Sequence, residues 1–185
     1  MKRLIVVMLM MVCLGGVVLA GTTDTVDITV TPVVTASLAI SPDTYNFGSL
    51  DVNVSSNSAT ALTLTNDGNI DIKVKKKISD EDAGGDGNWV ADSSTGTKDH
   101  YVLYCGTATA RPGLSDFAAG TLLGAENAET YLTGSGATSN GEGDGVVVPA
   151  TTGNTVDLWF KLSMPTSVTN GDERTMRLTF TAVSQ

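Results

Sequence analysis

Apolar residues recur at every second position along much of this chain, a period that fits a half-buried strand and no helix. Val26, Ile28 and Val30 alternate with Asp27, Thr29 and Thr31 until Pro32 interrupts. Leu38 and Ile40 lead to a turn at Ser41-Pro42-Asp43, and Tyr45 and Phe47 alternate before Gly48. Leu62 and Leu64 alternate with Thr63 and Thr65, and Asn66-Asp67-Gly68-Asn69 then predicts a tight hairpin turn. Beyond it, Ile70, Ile72, Val74 and Ile78 stand opposite Asp71, Lys73, Lys75 and Lys77. Val156, Leu158, Phe160 and Leu162 alternate with Asp157, Trp159 and Lys161. After a turn at Asn170-Gly171-Asp172, Met176, Leu178, Phe180 and Ala182 alternate with Thr175, Arg177, Thr179 and Thr181. Strands with one wet face, separated by Gly, Asn and Asp, predict an antiparallel sandwich or barrel.

Composition agrees. The chain holds 26 Thr, 15 Ser and 20 Gly among 185 residues, favouring strands and turns over helices. That length is room for one domain. A net charge of −9 and a pI near 4.3 argue against a nucleic-acid partner, because binding phosphate requires a basic face.

The N-terminus reads as a targeting segment. Met1-Lys2-Arg3 is a basic start, an apolar run extends from Leu4 to Leu19, and Val18-Leu19-Ala20 places small residues before a cut. This predicts a signal peptide over 1–20, cleaved between Ala20 and Gly21. An uncleaved anchor is the alternative, but the 16-residue run falls short of a full span. Lipid attachment at Cys13 would want a small residue where Val12 stands. The exported chain, 21–185, then carries a net charge of −11 and no later segment apolar enough to cross a membrane as a helix. It is expected to be secreted, extracellular or held at a cell surface. Cys105 is left alone, in the apolar stretch Tyr101 to Cys105, as a small buried hydrophobe.

Two long polar stretches interrupt the strands, Ser79 to Lys98 and Arg111 to Asn154. Short strands are expected between them at Tyr101–Cys105, Tyr131–Thr133 and Val146–Val148, with a helical turn over Ala125–Thr130. No second core is visible, so both stretches read as insertions in one domain spanning 21–185.

Chemistry-bearing residues are few. Asp80, Asp82 and Asp86, around Gly84-Gly85 and with Asn88 or Asp92, are the best candidate for calcium, a hard cation wanting six to eight oxygens. The stretch departs from an EF-hand loop at Gly84 and Ala91, and a solvated acidic loop is the simpler reading. Glu142 and Asp144 are a weaker pair. No other cofactor is expected. His100 is the sole histidine, and no Gly-x-Ser-x-Gly nucleophile motif accompanies it, so the chain is not read as an enzyme. Trp159 lies out of phase with the core residues of its strand, and with Trp89 it could stack a glycan. Lys76 falls in phase with Val74 and Ile78 and should point inward; inward charges and lysines blunt exposed sheet edges.

Residues 38–78 carry a resemblance. Leu38-Ala-Ile-Ser-Pro-Asp-Thr-Tyr-Asn-Phe47-Gly48-Ser-Leu-Asp-Val, followed by Ala61-Leu-Thr-Leu-Thr-Asn66-Asp-Gly-Asn-Ile70, resembles immunoglobulin-like modules of the Hydin type. These share an aromatic-Gly pair, a polar excursion, a strand ending in Asn and a Gly-Asn turn; Asn53 replaces the usual Gly here. The resemblance implies a single immunoglobulin-like antiparallel β-sandwich, with a jelly-roll-like variant as the other topology, and names no activity. The layout of signal peptide, short N-terminal strand, sandwich with irregular insertions and Thr-rich last strand is similar to camelysin/TasA-type secreted fibre subunits.

The expected function is therefore structural: an adhesive or biofilm-matrix protein, self-associating through sheet edges into a filament. Residues 21–34 would act as a donor strand, with Val26, Ile28 and Val30 as subunit contacts, since an added strand gains main-chain hydrogen bonds and fills pockets at alternate positions. A soluble binding module for glycan or calcium is the alternative, and other surface proteins or glycans are the alternative partners. Intact-mass measurement of native exported material should show a chain beginning at Gly21; a species retaining residues 1–20 would refute the processing.

Overall fold

The computed structural model describes residues 25–80, 89–117, 121–123, 128–134, 145–151 and 154–185. The chain divides into two units, Met1–Pro32 and Val33–Gln185. Within the first unit, the described residues 25–32 form no strand.

The second unit is a β-sandwich of two sheets, with no α-helix among the described residues. The larger sheet has eight strands. Its main path runs from β1 (Ala39–Ser41) through β3 (Leu62–Thr65), β11 (Thr155–Ser163) and β6 (His100–Thr107) to β5 (Val90–Ala91). Three short strands attach to it: β2 (Ser55–Asn57) on β11, and β7 (Leu122–Leu123) and β9 (Thr133–Gly134) on β6. The smaller sheet holds four strands, in the order β10 (Val147–Val148), β4 (Ile72–Asp80) and β12 (Met176–Ser184), with β8 (Thr130–Tyr131) also on β4. Pairing is antiparallel except at β5–β6 and β6–β9, which are parallel.

The period-two residues supply the core. Leu62, Leu64, Tyr101, Leu103, Cys105, Leu158, Phe160 and Leu162 from the larger sheet meet Ile72, Val74, Ile78 and Val148 from the smaller one. Alternation sends every second side chain to one face, and stacking two such faces removes both from water.

Three local expectations are corrected. The turn at Asn66–Asn69 does not close a hairpin, because β3 and β4 belong to different sheets. Asn66, wholly buried, makes that crossing: its side-chain amide donates to Ile70 O and Val148 O at 2.9 Å each, while its Oδ1 accepts from Gly68 N at 3.0 Å. Tyr45 and Phe47 alternate without forming a strand. Their rings meet edge-on at 4.9 Å, and the Tyr45 hydroxyl accepts from Ala59 N at 2.6 Å, so ring packing at the core margin explains their spacing. The segment from Val26 to Val30 also lies in no ladder. Half of the expected helical turn at 125–130 lies outside the described residues; 128–129 form no helix and Thr130 is in β8.

Candidate functional site

The chain just after Pro32 is clamped by one asparagine. The Asn69 side chain donates to Val33 O at 2.8 Å and accepts from Thr35 N at 2.6 Å, and Asn69 N donates to Thr35 O at 3.0 Å. Gly68 makes this approach feasible, because a Cβ there would strike Thr35 O. On the N-terminal side of the clamp, Val26, Ile28 and Val30 are 82%, 88% and 85% exposed. Their apolar spacing is that of the sequence, and every residue from 25 to 36 is exposed along with them. Residues 21–24 of the expected donor strand, and the Ala20–Gly21 cleavage site, lie outside the described residues.

At the smaller sheet, β12 has β4 as its only ladder partner among the described residues. The register sets Leu178 against Ile78, Phe180 against Lys76 and Ala182 against Val74. Ile78, Lys76 and Val74 are wholly buried, whereas Leu178, Phe180 and Ala182 are only half-buried. Burial thus falls off across one strand spacing, from the centre of the sheet to its edge.

Lys76 points inward as its phase predicts, and it is fully buried. Its Nζ donates to Cys105 O at 2.5 Å and Thr121 O at 3.0 Å. Burial pushes its pKa from 10.5 down to about 8, opposed by the nearby Cys105. Burial likewise pushes the Cys105 thiol up to about 11, keeping it protonated and unreactive at neutral pH. On the opposite face of β4, Lys73, Lys75 and Lys77 alternate outward, with Lys75 paired to Glu129 at 3.3 Å and standing 5.7 Å from the Tyr131 ring centre.

The remaining sequence candidates scatter. Asp82, Asp86, Asn88, Glu142 and Asp144 lie outside the described residues, as does the side chain of Asp80. Among the described residues, no three His, Cys, Asp or Glu side chains converge as a metal site. His100 meets Asp92 at 2.8 Å, and its hydrogen bond, followed by that of Ser93 N, holds the Asp92 carboxyl below its ordinary pKa. The Ser93 hydroxyl bonds that same carboxylate at 3.2 Å, so this arrangement does not set the imidazole to deprotonate the serine. The two tryptophans do not share a platform. Trp159 is 8% exposed and packs with Ala108 and Phe117, donating from Nε1 to Ala108 O at 3.0 Å. Trp89 packs on the main core, 6.0 Å from the Tyr101 ring.

Sequence reasoning missed an open cavity of about 290 Å³ lined by residues including Asn53, Ser55, Ser93, Thr95, Tyr104 and Ser163. These positions come from separate segments, and no spacing in the sequence groups them. No helix among the described residues is long and apolar enough to cross a membrane. No protein-family model matches the chain, and no curated protein matches it.

Lys76 gives a pH dependence whose sign is fixed. Between about pH 8 and 10.5 the unfolded chain keeps a proton on Lys76 that the folded chain has shed, so stability rises with pH. Cys105 acts oppositely above about pH 9, where the unfolded thiol ionises before the folded one. From pH 7 to 9, urea titration should therefore show unfolding free energy rising by about 1 kcal/mol. The rise should vanish in Lys76→Met; the same slope in that variant would exonerate the lysine.

Proposed function

We propose that this chain is an exported structural or adhesive protein of the cell surface, a filament or matrix subunit that assembles by strand exchange. The observation that carries the reading is the bare stripe Val26, Ile28 and Val30, set N-terminal to a clamped base. Fully burying such side chains is worth about 1.5–3 kcal/mol each, so a partner that covers these three would be favoured by that burial. The signal-like N-terminus supports export, and the fibre-subunit layout supports assembly. The Hydin-type pattern over 38–78 supports an immunoglobulin-like subunit.

Deleting residues 21–31 from the exported chain should leave a folded monomer by sedimentation, where the parent forms filaments under negative stain. The truncated protein should also bind a peptide of residues 22–34. Filaments from the truncated chain, or a parent monomeric at high concentration, would refute the proposal.

A soluble glycan-binding module is the second reading, favoured by the hydroxyl- and amide-bearing cavity beside Tyr104. Under that reading Tyr104→Ala should weaken binding on an oligosaccharide array at least tenfold. An array that retains no parent protein would remove this reading and leave the first.

A further inference from the structure

We propose, resting on the strand-exchange reading, that residues 25–31 of one copy dock along the outer edge of β12 in a second copy. Among the described residues the fold offers few edges. The larger sheet ends at β1, three residues long, and at β5, two residues long. The far side of β4 is shared by β10 and β8. β12 runs for nine residues, Met176–Ser184, and ends the path of its sheet. An incoming segment of seven residues, at about 3.3 Å each, fits within that length.

The burial gradient marks the same edge. Leu178, Phe180 and Ala182 belong to the core face yet stay half-buried beside fully buried neighbours on β4. A further strand alongside would cover them. Val26, Ile28 and Val30 have the same two-residue spacing, so one alignment seats all three against the three half-covered side chains. The opposite face then carries Asp27, Thr29 and Thr31 on the side of Thr179, Thr181 and the β4 lysines 73, 75 and 77. Asp27 is thereby placed on the same face as the basic stripe, with β12 between them.

Apart from Arg177 near its start, the edge lacks the devices that normally forbid pairing. Native sheets blunt exposed edges with lysine, proline, bulges or inward charge. The stretch Leu178-Thr-Phe-Thr-Ala-Val-Ser184 contains no charged residue and no proline. Pro32 ends the incoming segment, since proline cannot donate to a ladder. The donor and acceptor surfaces differ, so each copy offers one of each and the contact repeats head to tail, the arrangement a filament needs.

Disulfide mapping on the full exported chain tests this. Thr29→Cys protein is mixed with Thr179→Cys, Thr181→Cys or Val183→Cys protein and oxidised by air with a copper catalyst. The same samples are imaged for filaments. Cys105 is wholly buried, and Ser115→Cys, on an exposed turn, serves as the control. Most of the protein in at least one β12 mixture should run as a reducible dimer between the two variants, and the Ser115 mixture should not. Filaments with no disulfide to any β12 position would overturn the β12 assignment while leaving strand exchange standing. Monomers with neither filaments nor disulfides would overturn both.

Discussion

A single buried ammonium fixes how the two layers meet. Lys76 occupies a core position of β4, between Val74 and Ile78, and reaches two carbonyl oxygens outside its own sheet's ladders, at Cys105 and Thr121. A buried charge without partners costs several kcal/mol, so these carbonyls are a condition of the packing. A one-residue slip of β4 would turn Lys75 and Lys77 inward and throw Val74 and Ile78 into water. The ammonium therefore specifies register as well as separation. Its depressed pKa is the residual cost of that arrangement.

With the layers so fixed, the sandwich is lopsided. The larger sheet spreads its core load over three inward-facing strands, β3, β6 and β11, each with fully or nearly fully buried residues. The smaller sheet draws its buried residues from β4 and Val148 of β10, and β12 supplies only half-covered side chains. The crossings between sheets are tied by amides. Asn66 holds β3 to the β4 side, and Asn154 donates to Asn66 O at 2.8 Å. Asn69 extends the same knot to Val33 and Thr35. One turn thus joins the sheets and anchors the base of the N-terminal segment.

The long strands were legible because each repeats its period over enough residues to exclude a helix. β3, β4, β11 and β12 fall where alternation predicts, and even the inward lysine follows from phase. What alternation cannot report is the partner. It marked Val26–Val30 and Tyr45–Phe47 as strands, yet neither segment joins a ladder, because a period of two describes side chains and not hydrogen bonds. It also implied a hairpin at Asn66–Asn69, where buried amide bonds instead send the chain across the sandwich. The strands β2, β5 and β7 are two or three residues long, too short for any period to register. The cavity beside Tyr104 was invisible for another reason: its lining converges only after folding.

Exposed apolar stripes and unguarded edges ordinarily lead to indiscriminate aggregation, so the proposed assembly requires a limit on which contacts form. Under that proposal, charge would supply the limit. The expected exported chain carries −11, which keeps copies apart in most orientations. The outward lysines of β4 gather positive charge on the sheet that contains β12, and Asp27 lies on the proposed donor segment, out of phase with its apolar residues. Approach is favoured where a donor segment meets this face and opposed where two acidic surfaces meet. Hydrophobic burial would then hold the contact, while electrostatics selects among orientations. The short stripe helps as well, since three apolar positions followed by Pro32 leave little length for slipped registers.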